Sequence, residues 1–153
     1  MRSVHRRLVF MAFAGSLVVL WSAHHLAAQR GMSITMTRLY TGPDGQTHAE
    51  KTEVNLRPST LRAGLDESAP LKVSGAQFLR WPPGYVWDWH TATHRQYVIT
   101  LSGRSEVELA GGQKIQLNPG QIILAEDVTG KGHITRSIGS EDLVLLLVPL
   151  AAQ

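Results

Sequence analysis

The sequence predicts an all-β domain, and three observations carry that prediction. From Met32 onward, apolar residues occur in short runs that alternate with polar residues at period 2 rather than at helical spacing. Clusters of glycine, proline, asparagine and aspartate separate these runs, as turns require. The chain has 153 residues, which suffices for one domain with its own core. Several short strands at this spacing are typical of a β-sandwich or a jelly-roll β-barrel.

The predicted strands follow one another along the chain, and turn sequences mark their ends. The first strand ends at Thr41-Gly42-Pro43-Asp44-Gly45, a sequence suited to a tight turn. The stretch 46–69 is polar and weakly patterned, so we expect it to connect the first two strands. The second strand ends at Pro82-Pro83-Gly84. In the third, Gln96 and every second residue after it share one face. The predicted strands are 32–40, 71–81, 96–101, 105–110, 115–117, 122–125 and 143–150.

The first 28 residues differ from the rest and have the order of a secretory signal peptide. Arginines come first, an apolar run covers 8–21, and the small residues Ala27 and Ala28 close the segment. The alternative is an uncleaved membrane anchor, but this run of 14 residues, interrupted by Gly15 and Ser16, falls short of the ~20 apolar residues that cross a bilayer. We therefore predict three parts: a signal peptide at 1–28, N-terminal strands with a connecting segment at 29–70, and a β-barrel core at 71–150.

Cleavage of the signal peptide changes the charge of the protein. It removes Arg2, Arg6 and Arg7 and no acidic residue, which leaves 12 of the 15 lysines and arginines against 12 aspartates and glutamates. The mature domain is formally neutral, so no basic face predicts binding to nucleic acid, and no stable membrane insertion is expected after cleavage. The chain has no cysteine, which excludes disulfides and thiol chemistry.

We expect the mature protein to begin near Gln29 and to be exported, either to the periplasm or to the medium. The basis is the short apolar run followed by Leu26-Ala27-Ala28, which suits a signal peptidase. The intact mass of protein recovered from the exported fraction checks this. A mass that still includes residues 1–28 would favour the membrane anchor instead.

One segment places glycine, histidine and glutamine at regular intervals. Gly84 is followed after five residues by His90, and Gln96 is followed after six by Gly103. This pattern resembles the first motif of the cupin superfamily, in which a glycine precedes His-x-His, a glutamate and a closing glycine. The resemblance places His90 at the first histidine and Gln96 at the glutamate. Ala92 occupies the position of the second histidine.

A second segment resembles the other cupin motif, and together the two cover about 81–150. It begins at Asn118-Pro119-Gly120 and ends at Gly130-Lys131-Gly132-His133, with Val128 in place of the usual proline. The resemblance implies a cupin-like jelly-roll barrel and a site for a divalent metal (Mn, Fe, Ni, Cu or Zn) at His90, Gln96 and His133. Two imidazoles and an amide form a neutral donor set, which binds such an ion less tightly than one with a carboxylate. The alternative is that both histidines form ordinary hydrogen bonds inside a polar interior.

Aromatic and charged residues near His90 are candidates for contact with a ligand. In a regular strand Trp87 and Trp89 share one face, where they could stack on an apolar or ring-shaped molecule or fill the core. His94 is a further candidate for substrate binding, and a solvated position at the rim is its alternative. Arg95 should point away from Gln96 and form an ion pair.

The favoured interpretation is an exported, metal-dependent cupin-like enzyme acting on a small organic molecule, as an oxidoreductase, isomerase or lyase. No catalytic residue is assigned. The alternative is a metal-free module that binds or senses a small molecule without catalysis, and a third is a protein that works mainly as a homodimer. The fold does not choose among these.

Overall fold

The structure, a computed structural model, describes residues 33–152, and the predicted signal peptide at 1–28 lies outside that range. The described chain consists of strands and turns without a helix, so the all-β prediction is confirmed. No helix long and apolar enough to cross a membrane occurs in this range. The strands, numbered in chain order, are β1 (Thr35–Thr41), β2 (Thr47–Glu53), β3 (Arg57–Pro58), β4 (Asp66–Glu67), β5 (Gln77–Trp81), β6 (Val86–His90), β7 (Gln96–Ser102), β8 (Arg104–Glu108), β9 (Lys114–Leu117), β10 (Ile122–Glu126), β11 (His133–Ile138) and β12 (Leu143–Pro149).

Two sheets make up most of the described domain. The larger has six strands in the order β2-β1-β10-β7-β12-β5, and the smaller has four in the order β6-β11-β8-β9. Strand β1 runs parallel to β10, and the other named pairs are antiparallel. Strands β3 and β4 form a separate short ladder.

The two sheets share one hydrophobic core. Leu39 of β1 and Ile123 of β10 come from the larger sheet, whereas Val107 of β8 and Leu117 of β9 come from the smaller one. All four are buried, and Leu39 is fully inaccessible. Because residues from both sheets belong to one packed cluster, the domain is a β-sandwich with its core between the layers.

The sheets do not close into the continuous barrel that the sequence predicts. Within the described residues, the edge strands β5 and β6 hydrogen-bond in different sheets, β5 to β12 and β6 to β11. The corner that joins them contains Pro82 and Pro83, which have no amide hydrogen to donate across it. An open side therefore remains between β5 and β6.

Five of the predicted strands match observed ones to within two residues at either end. Strand β1 begins three residues later than predicted, β6 is not among the predicted strands, and three further segments differ. The stretch 46–69 contains β2, which pairs with β1 along its whole length. Of the predicted strand 71–81, only 77–81 forms a ladder, although Val73 makes an isolated bridge to Leu150. Strand β11 was not predicted at all. Its buried positions include His133, Thr135 and Ser137, so the period-2 pattern is polar and does not stand out as an apolar alternation.

Candidate functional site

A cavity of ≈ 60 Å³ lies between the two sheets. It has room for about four water molecules, at 10–15 Å³ for each. Its wall is mostly apolar, and the residues that line it include no lysine, arginine, aspartate or glutamate. The polar side chains in the wall are those of His90, Thr91, Thr93, Gln96, Ser105, His133 and Thr135.

His90 and His133, which we call the histidine pair, face each other across neighbouring strands. They are register partners in the β6–β11 ladder, and their ring centroids are 4.5 Å apart. Directly opposed residues in an antiparallel pair bring their side chains within contact distance. The fold thus brings together two histidines that are 43 positions apart in the sequence.

His133 is held by a buried carboxylate. Its Nδ1 lies 2.6 Å from Oδ2 of Asp127, which also accepts a hydrogen bond from the hydroxyl of Thr47 at 2.9 Å. A carboxylate has no proton to donate, so Nδ1 of His133 is the donor. In the neutral imidazole, Nε2 then carries the free lone pair.

His90 has the same arrangement with a different acceptor. Its Nδ1 lies 2.7 Å from the backbone carbonyl oxygen of Asp88, which can only accept, so Nε2 again carries the lone pair. Burial lowers the pKa of His90 below its usual value; the hydrogen bond to Asp88 opposes this, and the proximity of His133 adds to it. The ring of Trp87 stacks on His90 at a centroid distance of 3.8 Å and an interplanar angle of 1°.

A β-bulge in β6 decides which aromatic side chains reach the cavity. His133 pairs with His90 but Thr135 pairs with Trp87, so β6 contains one more residue than β11 over this interval. The bulge turns Trp87 to the same side as His90, and both line the cavity. The prediction that Trp87 and Trp89 share one face is therefore wrong.

Two of the predicted ligand-contacting residues lie outside the cavity wall. Trp89 is 40% exposed and has the ammonium group of Lys131 over its ring, 4.4 Å from the centroid. His94 is exposed on the loop before β7 and contacts the hydroxyl of Thr93 at 3.3 Å. Any contact of either with a ligand would therefore be outside this cavity.

Gln96 and Ala92 both lie in the cavity wall, as the motif spacing predicts. Gln96 is buried at the start of β7, and the alternation that places it inward also turns Val98 into the cavity. Ala92, at the position of the missing histidine, is buried in the hydrophobic core.

The adjacent carboxylates of Glu126 and Asp127 face opposite ways. Glu126 is the last residue of β10 and binds Arg95, as well as Nε of Arg38 at 2.6 Å. Burial alone would raise the pKa of Glu126, but the hydrogen bonds from Arg95 and Arg38 outweigh it and hold that pKa below its usual value. This confirms the prediction that Arg95 forms an ion pair.

Sequence reasoning did not identify the partners of His133. Thr47 is separated from Asp127 by 80 positions and comes from the polar stretch that was expected to be a connection. Asp127 did offer a signal, since Asp127 and His133 flank the turn Gly130-Lys131-Gly132, which joins β10 to β11. A backbone hydrogen bond from Ala92 to the carbonyl of Asp127 ties the two motifs together.

The donor atoms at this cavity are two imidazole nitrogens and one amide oxygen. Nowhere in residues 33–152 do three or more histidine, cysteine, aspartate or glutamate side chains gather as a metal-binding group. The arrangement that could hold a metal is therefore His90, His133 and Gln96, with further ligands from solvent. Imidazole suits Zn, Cu, Fe and Ni, whereas the set lacks the carboxylates that Mg and Ca prefer.

Comparisons with known proteins give structural likenesses alone. No family model and no curated protein matches the chain. Among solved structures, the chain is similar to a cupin domain from Bordetella pertussis, with 22% identity, 50% of this chain and 80% of that chain covered, and a TM-score of 0.42. It is also similar to a cupin domain from Schizosaccharomyces pombe, with 14% identity, coverage of 82% and 88%, and a TM-score of 0.41.

A third likeness is to a protein from Shewanella frigidimarina that contains a cupin-2 domain. The identity is 12%, the coverage is 57% of this chain and 85% of that one, and the TM-score is 0.38. Cupin domains are thus among the solved structures to which this chain is similar, as the motif resemblance predicts. At these scores the likenesses say nothing about activity, ligand or partner.

Proposed function

We propose that this chain is an exported cupin-like domain that binds a divalent metal ion and presents it to a small organic molecule in the cavity between the sheets. His90, His133 and Gln96 would hold the ion. The observation that carries the proposal is the state of the histidine pair. Both Nδ1 atoms are taken by acceptors, so the lone pair of each neutral ring is on Nε2, and both residues line the cavity.

This pattern is the one that metal-binding histidines usually have. Such a residue generally donates its other ring N–H to a carboxylate or a backbone carbonyl, which fixes the tautomer and the direction of the ring. His133 uses the carboxylate of Asp127 and His90 uses the carbonyl of Asp88. Burial lowers the pKa of His90 and so favours the neutral ring, which is the form that coordinates.

The cavity itself favours a small and mostly apolar ligand. Its ≈ 60 Å³ is less than half the volume of an engineered cavity of about 150 Å³ that binds benzene, so a molecule of only a few heavy atoms fits inside. The wall contains no charged side chain apart from the titratable histidines. A bound divalent ion would supply Lewis-acid polarisation of a substrate oxygen, and the apolar wall would exclude bulk water.

A metal-free binding module is the second candidate, and two observations favour it. The described chain lacks a group of three strong metal ligands, and Ala92 takes the place of a histidine in the wall. The cavity would then bind an uncharged molecule through the hydroxyls of Ser105 and Thr135 and through Gln96.

Metal analysis of untagged, exported protein separates these functions. We expect about one equivalent of a transition metal in the purified protein and saturable binding of Zn(II) or Ni(II) by calorimetry.

Ala92→His should raise the affinity by at least about tenfold, because it adds an imidazole to the cavity wall. It should also lower the stability of the metal-free protein, because Ala92 belongs to the packed core.

Ala63→His is the matched control, since it makes the same substitution at an exposed position outside the cavity. It should leave the metal affinity unchanged. Absence of metal from the purified protein, together with no binding by wild type or Ala92→His, would favour the metal-free module.

A further inference from the structure

Asp127 is a buried carboxylate, and packing of the fold does not account for a charged group at this position. It lies directly after β10, with none of its surface accessible. Its Oδ2 accepts both hydrogen bonds, from His133 and from Thr47, whereas its Oδ1 is buried without a partner in the described part of the chain.

A carboxylate in this position costs stability. Burial of a charged group is unfavourable unless hydrogen bonds satisfy it, and here one of the two oxygens has none. An amide oxygen would accept the same two hydrogen bonds at the same volume and without the charge. The packing around Asp127 therefore does not require a carboxylate, and its purpose must be sought in what it contacts.

What it contacts is one member of the histidine pair. The neutral donor set of His90, His133 and Gln96 contains no carboxylate, and Asp127 places one 2.6 Å from the far nitrogen of His133. A carboxylate at Nδ1 fixes the tautomer and increases the donor strength of Nε2. The negative charge that Gln96 does not supply is thus carried by Asp127, which contacts His133 in the cavity wall.

We propose that Asp127 is a positioning residue for this site: it fixes His133 in the tautomer that leaves Nε2 free and strengthens that nitrogen as a donor. The inference rests on the proposed function, because the donor strength matters for a bound metal ion. The tautomer is a property of the metal-free protein, so the two are tested separately.

The first experiment reads the tautomer in the metal-free protein by two-dimensional ¹⁵N–¹H NMR of the histidine rings. In the wild type, His133 should be protonated at Nδ1. In Asp127→Leu the ring should revert to a mixture of tautomers, because no acceptor remains at Nδ1. His90 is an internal control, since its acceptor is the backbone of Asp88 and its tautomer should not change.

The second experiment measures Zn(II) affinity by calorimetry. Asp127→Asn keeps the volume, and its amide oxygen can accept the same two hydrogen bonds, while an NH2 group replaces the unpartnered oxygen and the charge is lost. It should weaken binding by about 10- to 100-fold. Gln96→Glu in the same protein should recover most of that loss, because it returns a carboxylate to the site. Asp44→Asn is the control: it removes a carboxylate from an exposed aspartate–histidine pair, with His48 at 3.0 Å, and should have no effect.

An unchanged His133 tautomer in Asp127→Leu would overturn the proposal, and so would equal Zn(II) affinity of the wild type and Asp127→Asn. If Asp127→Leu does not fold, Asp127→Asn and its Gln96→Glu rescue decide the matter. A wild type that binds no metal would overturn the proposed function instead, while the NMR comparison would still decide the role of Asp127.

Discussion

His90→Ala and His133→Ala should each abolish tight binding of a divalent metal ion. Each substitution leaves one imidazole and the amide of Gln96, and two donors do not hold such an ion against water. Loss of a hydrogen-bond partner of a ligand already costs about 10- to 100-fold in affinity, so loss of the ligand itself should cost on the order of 100-fold or more. Calorimetric titration with Zn(II), Ni(II) and Mn(II) measures the effect.

His94→Ala is the matched control, because His94 is exposed and lies outside the cavity wall. Its affinity should equal that of the wild type. His133→Ala leaves the buried carboxylate of Asp127 without its imidazole, so its fold is to be checked by circular dichroism. His90 is only partly buried, and its substitution decides the question alone if the other variant unfolds. Equal affinities in all four proteins would mean that the histidines are not ligands.

The spacing of the motif residues was enough to predict which residues meet at the candidate site. His90, Gln96 and His133 come from three different strands, and all three line one cavity. This could be predicted because the motif resemblance fixes the spacing of these three residues relative to glycine turns, although strand β11 itself was not predicted. Alternation along β7 then sets the direction of Gln96. Their role as metal ligands stays a prediction.

The aromatic face next to His90 could not be predicted, because a single bulge overturns alternation. In a regular strand Trp87 and His90, three residues apart, point to opposite faces, but the extra residue in β6 turns them to the same face. A period-2 argument assumes strict alternation and therefore fails here. Nothing in the local sequence marks the bulge. The result is that Trp87 stacks on His90 in the cavity wall while Trp89 lies outside it.

The partners of His133 were missed for a different reason. Strands β2 and β11 carry polar residues on their buried sides, Thr47 in one and Thr135 in the other, so neither resembles a strand with an apolar inner face. The hydrogen bond from Thr47 to Asp127 depends on a tertiary contact across 80 positions. Sequence patterns within a short window do not contain that information.

Gly132 is the residue on which the approach of β6 to β11 depends. It precedes His133 and has a φ of 76°, in the left-handed region that favours glycine. A Cβ at this position would lie 2.0 Å from the backbone oxygen of His90 and 2.4 Å from its carbonyl carbon. Backbone atoms of a paired strand cannot turn aside as a flexible side chain can, so any side chain here must push the strands apart.

Gly132→Ala should therefore lower the free energy of unfolding by about 2–5 kcal/mol, which combines ~1–2 kcal/mol of backbone strain with ~1–3 kcal/mol of overpacking. Gly120→Ala is the matched control, because Gly120 has a φ of 84° and open space where its Cβ would lie, so it should lose only the strain. Urea unfolding of the wild type and both variants measures the difference.

Gly132→Ala should also weaken metal binding, whereas Gly120→Ala should not. The added Cβ clashes with the backbone of His90, so it should separate the rings of His90 and His133, which now lie 4.5 Å apart. Equal loss of stability in the two variants would show that β6 is free to move, and that the close approach of the strands is not what holds the histidine pair together.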